Sequence, residues 1–86
     1  MYFSNVMAPS IRDGGIRFQI WPNDHTPPHV HAYFKDEDIL IHLETAEFLT
    51  PPPAGQGRKI LKVFLEHRGT LLQIWNELHG KEEDNA

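Results

Sequence analysis

The sequence contains no cysteine, which excludes disulfide bonds and every metal site that is built on thiolates. It also lacks an apolar run of the length that crosses a membrane, and it lacks the N-terminal pattern of a secretory signal. We therefore expect a cytoplasmic protein with no membrane partner. The 86 residues are 40% hydrophobic and 23% charged, values that are ordinary for a globular protein of one domain with a modest core.

Basic residues are few. Eight lysines and arginines stand against 12 acidic residues, and the net charge is −4 with histidine neutral. A strongly basic chain would indicate nonspecific nucleic-acid binding, and this composition does not. Much of the acidity lies in two clusters, 36–38 and 82–84. We expect residues 1–6 to be an N-terminal extension, residues 7–80 to be a single α+β domain, and residues 81–86 to be an acidic disordered tail.

Apolar and polar residues alternate along three segments, 15–21, 29–34 and 39–44, which predicts three half-buried strands. A proline-rich loop separates the first two segments, because proline cannot donate to a sheet ladder. The polar residues 35–38, Lys-Asp-Glu-Asp, are predicted to form a four-residue hairpin turn. A short fourth strand is predicted around Phe48.

The period of the apolar residues changes after the segment PPPAGQG. From Arg58 to His79 they recur at the spacing of an amphipathic helix. Gly69 lies inside this run, and we favour one long helix that tolerates it. A break at Gly69, with Thr70 capping a second helix, is the alternative. The predicted fold is α+β: a small antiparallel sheet of three to four strands packed on one long C-terminal helix.

Histidines dominate the sheet face that is predicted to point away from the helix. With a four-residue turn, the hairpin register places His31 opposite His42 and His29 opposite Glu44. Directly opposed Cβ atoms lie about 4.5–5.5 Å apart, so these four side chains are predicted to form one patch. The residues predicted to share this face or its rim are Arg17, Trp21, Tyr33, Asp24 and His25.

Several motifs resemble one bacterial family, the domain of unknown function 4160. They are Gly15-Ile16, NDHTPPHVHA at 23–32, ILIHLET at 39–45 and HRGTLLQIW at 67–75. The resemblance covers residues 7–79, and its most specific part is the stretch D-H-x-P-P-H-x-H. Gly69 departs from the family, which has a helix former there. The resemblance implies a component of a toxin–antitoxin-type module with a small cognate partner protein.

Two chemistries suit the histidine patch. In the first, His29, His31 and His42, with Glu44, bind a divalent metal such as zinc, because imidazole and carboxylate are ligands that such ions prefer. In the second, the same three histidines are the catalytic acid and base that cleave RNA, and Arg17 stabilises the phosphorane charge.

Other residues near the patch are predicted to bind. Trp21 and Tyr33 are suited to stacking a base, and Asp24 and His25 lie at the rim. The leading hypothesis is a toxin–antitoxin-type component that acts on RNA through this face. The alternative is a non-catalytic metal-binding or protein-interaction module, with a partner protein or a second copy of the chain on the aromatic residues. A purely structural role, in which the histidines cap turns, stays open.

Overall fold

The computed structural model describes residues 9–79. Within this range four strands and one helix follow in chain order: β1 (Ser10–Asp13), β2 (Ile16–Gln19), β3 (His29–Phe34), β4 (Glu37–His42) and α1 (Gly57–His79). The strands form one antiparallel sheet in the order β1-β2-β3-β4. The predicted α+β architecture is therefore confirmed. The predicted extension at 1–6 and tail at 81–86 lie outside the described residues.

Strand β1 was not predicted from the sequence. The strand is short and mostly exposed, and Ile11 is its one apolar residue, so it carries no alternating pattern. A turn at Gly14 and Gly15 joins it to β2, and both glycines have positive φ, +61° and +80°. The predicted strand around Phe48 is wrong in extent, because this residue makes a single isolated bridge to Ile41.

The hairpin of β3 and β4 closes through two residues instead of the predicted four. Lys35 and Asp36 both have positive φ, 49° and 67°, as the central residues of a type I′ turn do. Phe34 therefore pairs with Glu37, and the predicted register is wrong by two residues.

A shift of two residues keeps every side chain on its predicted face. It changes the partners, however: His29 lies opposite His42, and His31 lies opposite Leu40. The predicted pairs of His31 with His42 and of His29 with Glu44 are not formed.

The apolar face of the sheet packs against α1. Phe18 of β2 and Phe64 of α1 lie at the contact, with ring centroids 6.3 Å apart. Among the described residues, no helix is both long and apolar enough to cross a membrane. The buried core consists of Ile16, Phe18, Ile20, Val30, Ala32, Phe34, Ile39, Ile41, Leu43, Ile60, Phe64, Leu71 and Trp75.

Helix α1 continues through Gly69, as predicted, and this glycine leaves room for a side chain. A Cβ built at Gly69 meets no atom within 4 Å.

We expect Gly69→Ala to raise the free energy of unfolding by about 0.5–1 kcal/mol, because alanine loses less backbone entropy in a helix. Urea denaturation followed by circular dichroism measures the change. Gly55→Ala is the matched control: it also meets open space, but its φ of +77° disfavours alanine, so stability should fall.

Candidate metal centre

Asp24 lies in the loop between β2 and β3, and hydrogen bonds within the loop fix its position. The backbone N–H of Asp24 donates to the carbonyl of Trp21 at 3.1 Å. In return, the backbone N–H of Trp21 donates to Asp24 Oδ2 at 3.3 Å. The loop also contains a cis peptide bond between Thr26 and Pro27. The Asp24 side chain is 17% exposed and turns towards the start of β3.

His29 and His31 stand two residues apart at the start of β3, so their side chains project from the same face of the sheet. Their side chains are 13% and 16% exposed. The Nε2 atom of each ring lies 3.4 Å from Asp24 Oδ2. The three candidate ligand atoms all lie within 4.8 Å of one another. One carboxylate and two imidazoles thus converge on a common point.

The separation of 3.4 Å exceeds the usual N–H···O distance of about 2.7–3.2 Å. His31 Nε2 is buried and has no hydrogen-bond partner among the described residues. In a tetrahedral zinc site, bonds of about 2.0–2.2 Å place neighbouring ligand atoms about 3.3–3.6 Å apart. The spacing around Asp24 therefore fits an edge of a metal coordination sphere better than a hydrogen bond.

The opposite nitrogen of each ring is held by an acceptor. His29 Nδ1 lies 2.8 Å from the carbonyl oxygen of Pro27, which can only accept, so Nδ1 carries the proton. His31 Nδ1 donates to the carboxylate of Asp38, at 3.0 Å. With the proton on Nδ1, a neutral form of either ring has its lone pair on Nε2, and both Nε2 atoms face Asp24. Outer acceptors of this kind orient the histidine ligands of metal sites.

His42, which the sequence predicted as a ligand, is bonded through Nδ1 to the turn after β4. Its Nδ1 accepts hydrogen bonds from the backbone N–H groups of Glu44, at 3.1 Å, and Thr45, at 3.3 Å. The proton of the neutral ring is then on Nε2, so neither nitrogen offers a free lone pair. Glu44 lies in the exposed turn beyond β4, where its carbonyl accepts from Arg68. Asp24 is thus the third residue whose ligand atom lies near those of His29 and His31. His42 lies opposite His29 in the hairpin, but its Nδ1 is bonded to the turn after β4.

Tyr33, Trp21 and Arg17 contact one another beside His31, whereas His25 lies exposed in the loop before β3. The Tyr33 ring stacks on His31, with centroids 5.9 Å apart and an interplanar angle of 14°. Trp21 Nε1 donates to the Tyr33 hydroxyl at 3.1 Å. The guanidinium of Arg17 lies 4.5 Å above the Tyr33 ring and also donates to Gln19. An aromatic layer therefore supports the His31 ring from the side away from His29.

The sequence reasoning missed the contact of Trp75 with the site. Trp75 belongs to the core as expected, yet its ring also packs against His29 with centroids 5.6 Å apart. On its other side it stacks on His79 at 4.0 Å. The helical spacing predicted burial of Trp75 but carried no signal of what it contacts.

A second group of possible ligands, Asp13, Glu66 and His67, lies where β1 meets α1. Here His67 Nε2 is 2.7 Å from Asp13 Oδ2, which is an ordinary hydrogen-bond distance. Both acidic residues are exposed. The hydrogen bond of His67 with Asp13 thus connects α1 to β1, and we do not propose this group as a metal site.

The comparison with protein families is consistent with the motifs. The sequence model of the family described as domain of unknown function (DUF4160) matches residues 15–76. The chain belongs to this family. The matched part of the DUF4160 domain includes Asp24, His29, His31 and Trp75. No curated protein and no solved structure matches the chain. The family description names no activity, so the function of this DUF4160 domain has to be inferred from its geometry.

Proposed function

We propose that this domain binds a divalent metal ion, of which zinc is the best fit, through His29 Nε2, His31 Nε2 and Asp24 Oδ2. One observation carries the proposal: both Nε2 atoms lie 3.4 Å from one carboxylate oxygen while both Nδ1 atoms are bonded to outer acceptors. A ring fixed in this way loses little freedom when it takes up a metal.

The ligand types narrow the choice of ion. Two imidazoles and one carboxylate suit zinc and its first-row neighbours, whereas calcium and magnesium prefer sites made of oxygen alone. Structural zinc sites close with four protein ligands, and catalytic sites keep a position open. Three ligands on a partly exposed face leave a fourth position for water or an external ligand.

A zinc titration tests the proposal. Chelator-treated protein should gain thermal stability when zinc is added, because an ion that binds only the folded state stabilises it by about 2.7 kcal/mol at 100 times Kd. For a chain of this size that corresponds to a rise in Tm of about 10–20 °C, measured by circular dichroism.

The control variant is His42→Ala. It removes the ring whose Nδ1 accepts from the backbone after β4, and it should keep the full zinc-dependent gain in Tm. A wild-type Tm that zinc does not change, or a gain that is lost in His42→Ala, contradicts the proposed ligand set.

Action on RNA within a toxin–antitoxin-type module is the second candidate, and one observation favours it. The rings of His29 and His31 lie side by side, with centroids 5.5 Å apart, as an acid and a base acting on one phosphate would. Arg17, the predicted cation, already bonds to Gln19 and lies over Tyr33. The metal proposal is preferred because it accounts for Asp24 and for both outer acceptors.

A further inference from the structure

A cleft of about 480 Å³ lies beside the proposed metal ligands, between the loop 22–26 and the C-terminal end of α1. Small-molecule sites have volumes of about 300–1,000 Å³. The loop contributes Asn23, Asp24 and His25 to the lining, and α1 contributes Trp75 and His79. Asp24 is thus both a wall of the cleft and a member of the ligand set, so an occupant of the cleft is next to the metal.

The two residues of α1 that line the cleft each have a ring nitrogen without a partner among residues 9–79. Trp75 is 1% exposed, and its Nε1 is buried without a hydrogen bond within the described part of the chain. The same holds for Nε2 of His79, which stacks on the Trp75 ring. An indole N–H can only donate, and a buried unpaired donor is unfavourable. An occupant that satisfies Trp75 must therefore bring an acceptor.

The charge of the proposed metal site determines which acceptor groups the cleft favours in an occupant. Without a metal, the Asp24 carboxylate repels an anion from the cleft. A divalent ion with Asp24 and two neutral histidines as ligands has a charge of +1, and the Asp38 carboxylate lies at Nδ1 of His31, on the opposite edge of that ring from the ion. The ion also offers an open coordination position that prefers a negatively charged oxygen. The metal-loaded cleft thus favours an occupant with anionic oxygens.

We propose that the cleft binds a small organic carboxylate, whose oxygens serve the open metal position and the Trp75 indole N–H. The inference rests on the proposed function, because the bound metal supplies the positive charge. The carboxylate has two equivalent acceptor oxygens, and the volume of the cleft leaves room for the organic group attached to it.

Indole N–H resonances in ¹H–¹⁵N NMR spectra test the inference with sodium benzoate as the probe. The chain has two tryptophans, and Trp21 Nε1 already donates to Tyr33, so its resonance is an internal control. Titration of the zinc-loaded protein should shift the Trp75 resonance saturably and leave that of Trp21 in place. Trp75→Phe keeps an aromatic ring without the N–H, and it should weaken benzoate binding by about threefold to tenfold, measured by calorimetry.

The outcomes separate this inference from the proposal beneath it. If zinc raises Tm but benzoate never shifts the Trp75 resonance saturably, the carboxylate site is wrong and the metal site stands. If zinc does not bind, both fail. An equal shift of the Trp75 resonance in chelator-treated protein also overturns the inference, because benzoate binding then does not need the metal. Equal shifts of the Trp21 and Trp75 resonances overturn it as well, because binding is then not specific to the cleft.

Discussion

Zinc affinity is expected to fall by at least about 100-fold in the variant Asp24→Asn, measured by isothermal titration calorimetry. The substitution removes the only negative charge among the three proposed ligands, and loss of an outer partner alone typically costs about 10–100-fold. Asparagine keeps an oxygen that accepts the hydrogen bond from the Trp21 backbone N–H. The loop should therefore keep its conformation, and the loss should reflect coordination and not folding.

Two further aspartate-to-asparagine substitutions are controls for the zinc affinity of Asp24→Asn. Asp36→Asn makes the same change of charge at the exposed hairpin turn and should leave zinc affinity unchanged. Asp38→Asn weakens the acceptor of His31 Nδ1 and should lower affinity by about 10–100-fold, less than Asp24→Asn. An Asp24→Asn protein that binds zinc as tightly as Asp36→Asn would exclude Asp24 as a ligand.

The second large effect is expected in the core. Phe64→Ala should lower the free energy of unfolding by about 3–5 kcal/mol, because the side chain is fully buried against Phe18. Domains of this size have total stabilities of about 4–13 kcal/mol, so the loss is a large share of the total. Urea denaturation followed by circular dichroism measures the loss.

Leu65→Ala is the matched control for this substitution, because Leu65 is the next residue of α1 and is 51% exposed. It should change stability by no more than about 0.5 kcal/mol. Zinc at about 1,000 times Kd should return about 4 kcal/mol to Phe64→Ala. Equal stabilities of the two variants would contradict the position of Phe64 in the core, and a Phe64→Ala protein that zinc leaves unchanged would contradict the coupling of metal binding to folding.

The architecture could be predicted because burial imposes a period on the sequence. Alternation identified β2, β3 and β4, and helical spacing identified α1 and its continuity through Gly69. The hairpin register could not be predicted in the same way. Type I′ turns favour asparagine and glycine, and Lys35-Asp36 carries neither, so the polar run of four residues gave no sign that two of them belong to β4.

Two of the three proposed ligands followed from local geometry. His29 and His31 share a face because they are two residues apart in a strand. Asp24 joins them only through the path of an irregular loop and its hydrogen bonds to Trp21, and no periodicity encodes that path. The exclusion of His42 depends equally on a turn, because its ring caps the backbone that follows β4.

The two edges of the sheet are protected against strand addition by different means. Beyond β4, the backbone N–H of Leu49 donates to the carbonyl of Leu40, and Thr50 Oγ1 accepts from the N–H of Leu40. This segment covers the β4 edge, and Pro51 follows it directly. Among residues 9–79 the other edge strand is β1, which is only four residues long and carries Arg12 and Asp13. Short charged edges resist pairing with another chain, so the sheet should resist aggregation at both of its ends.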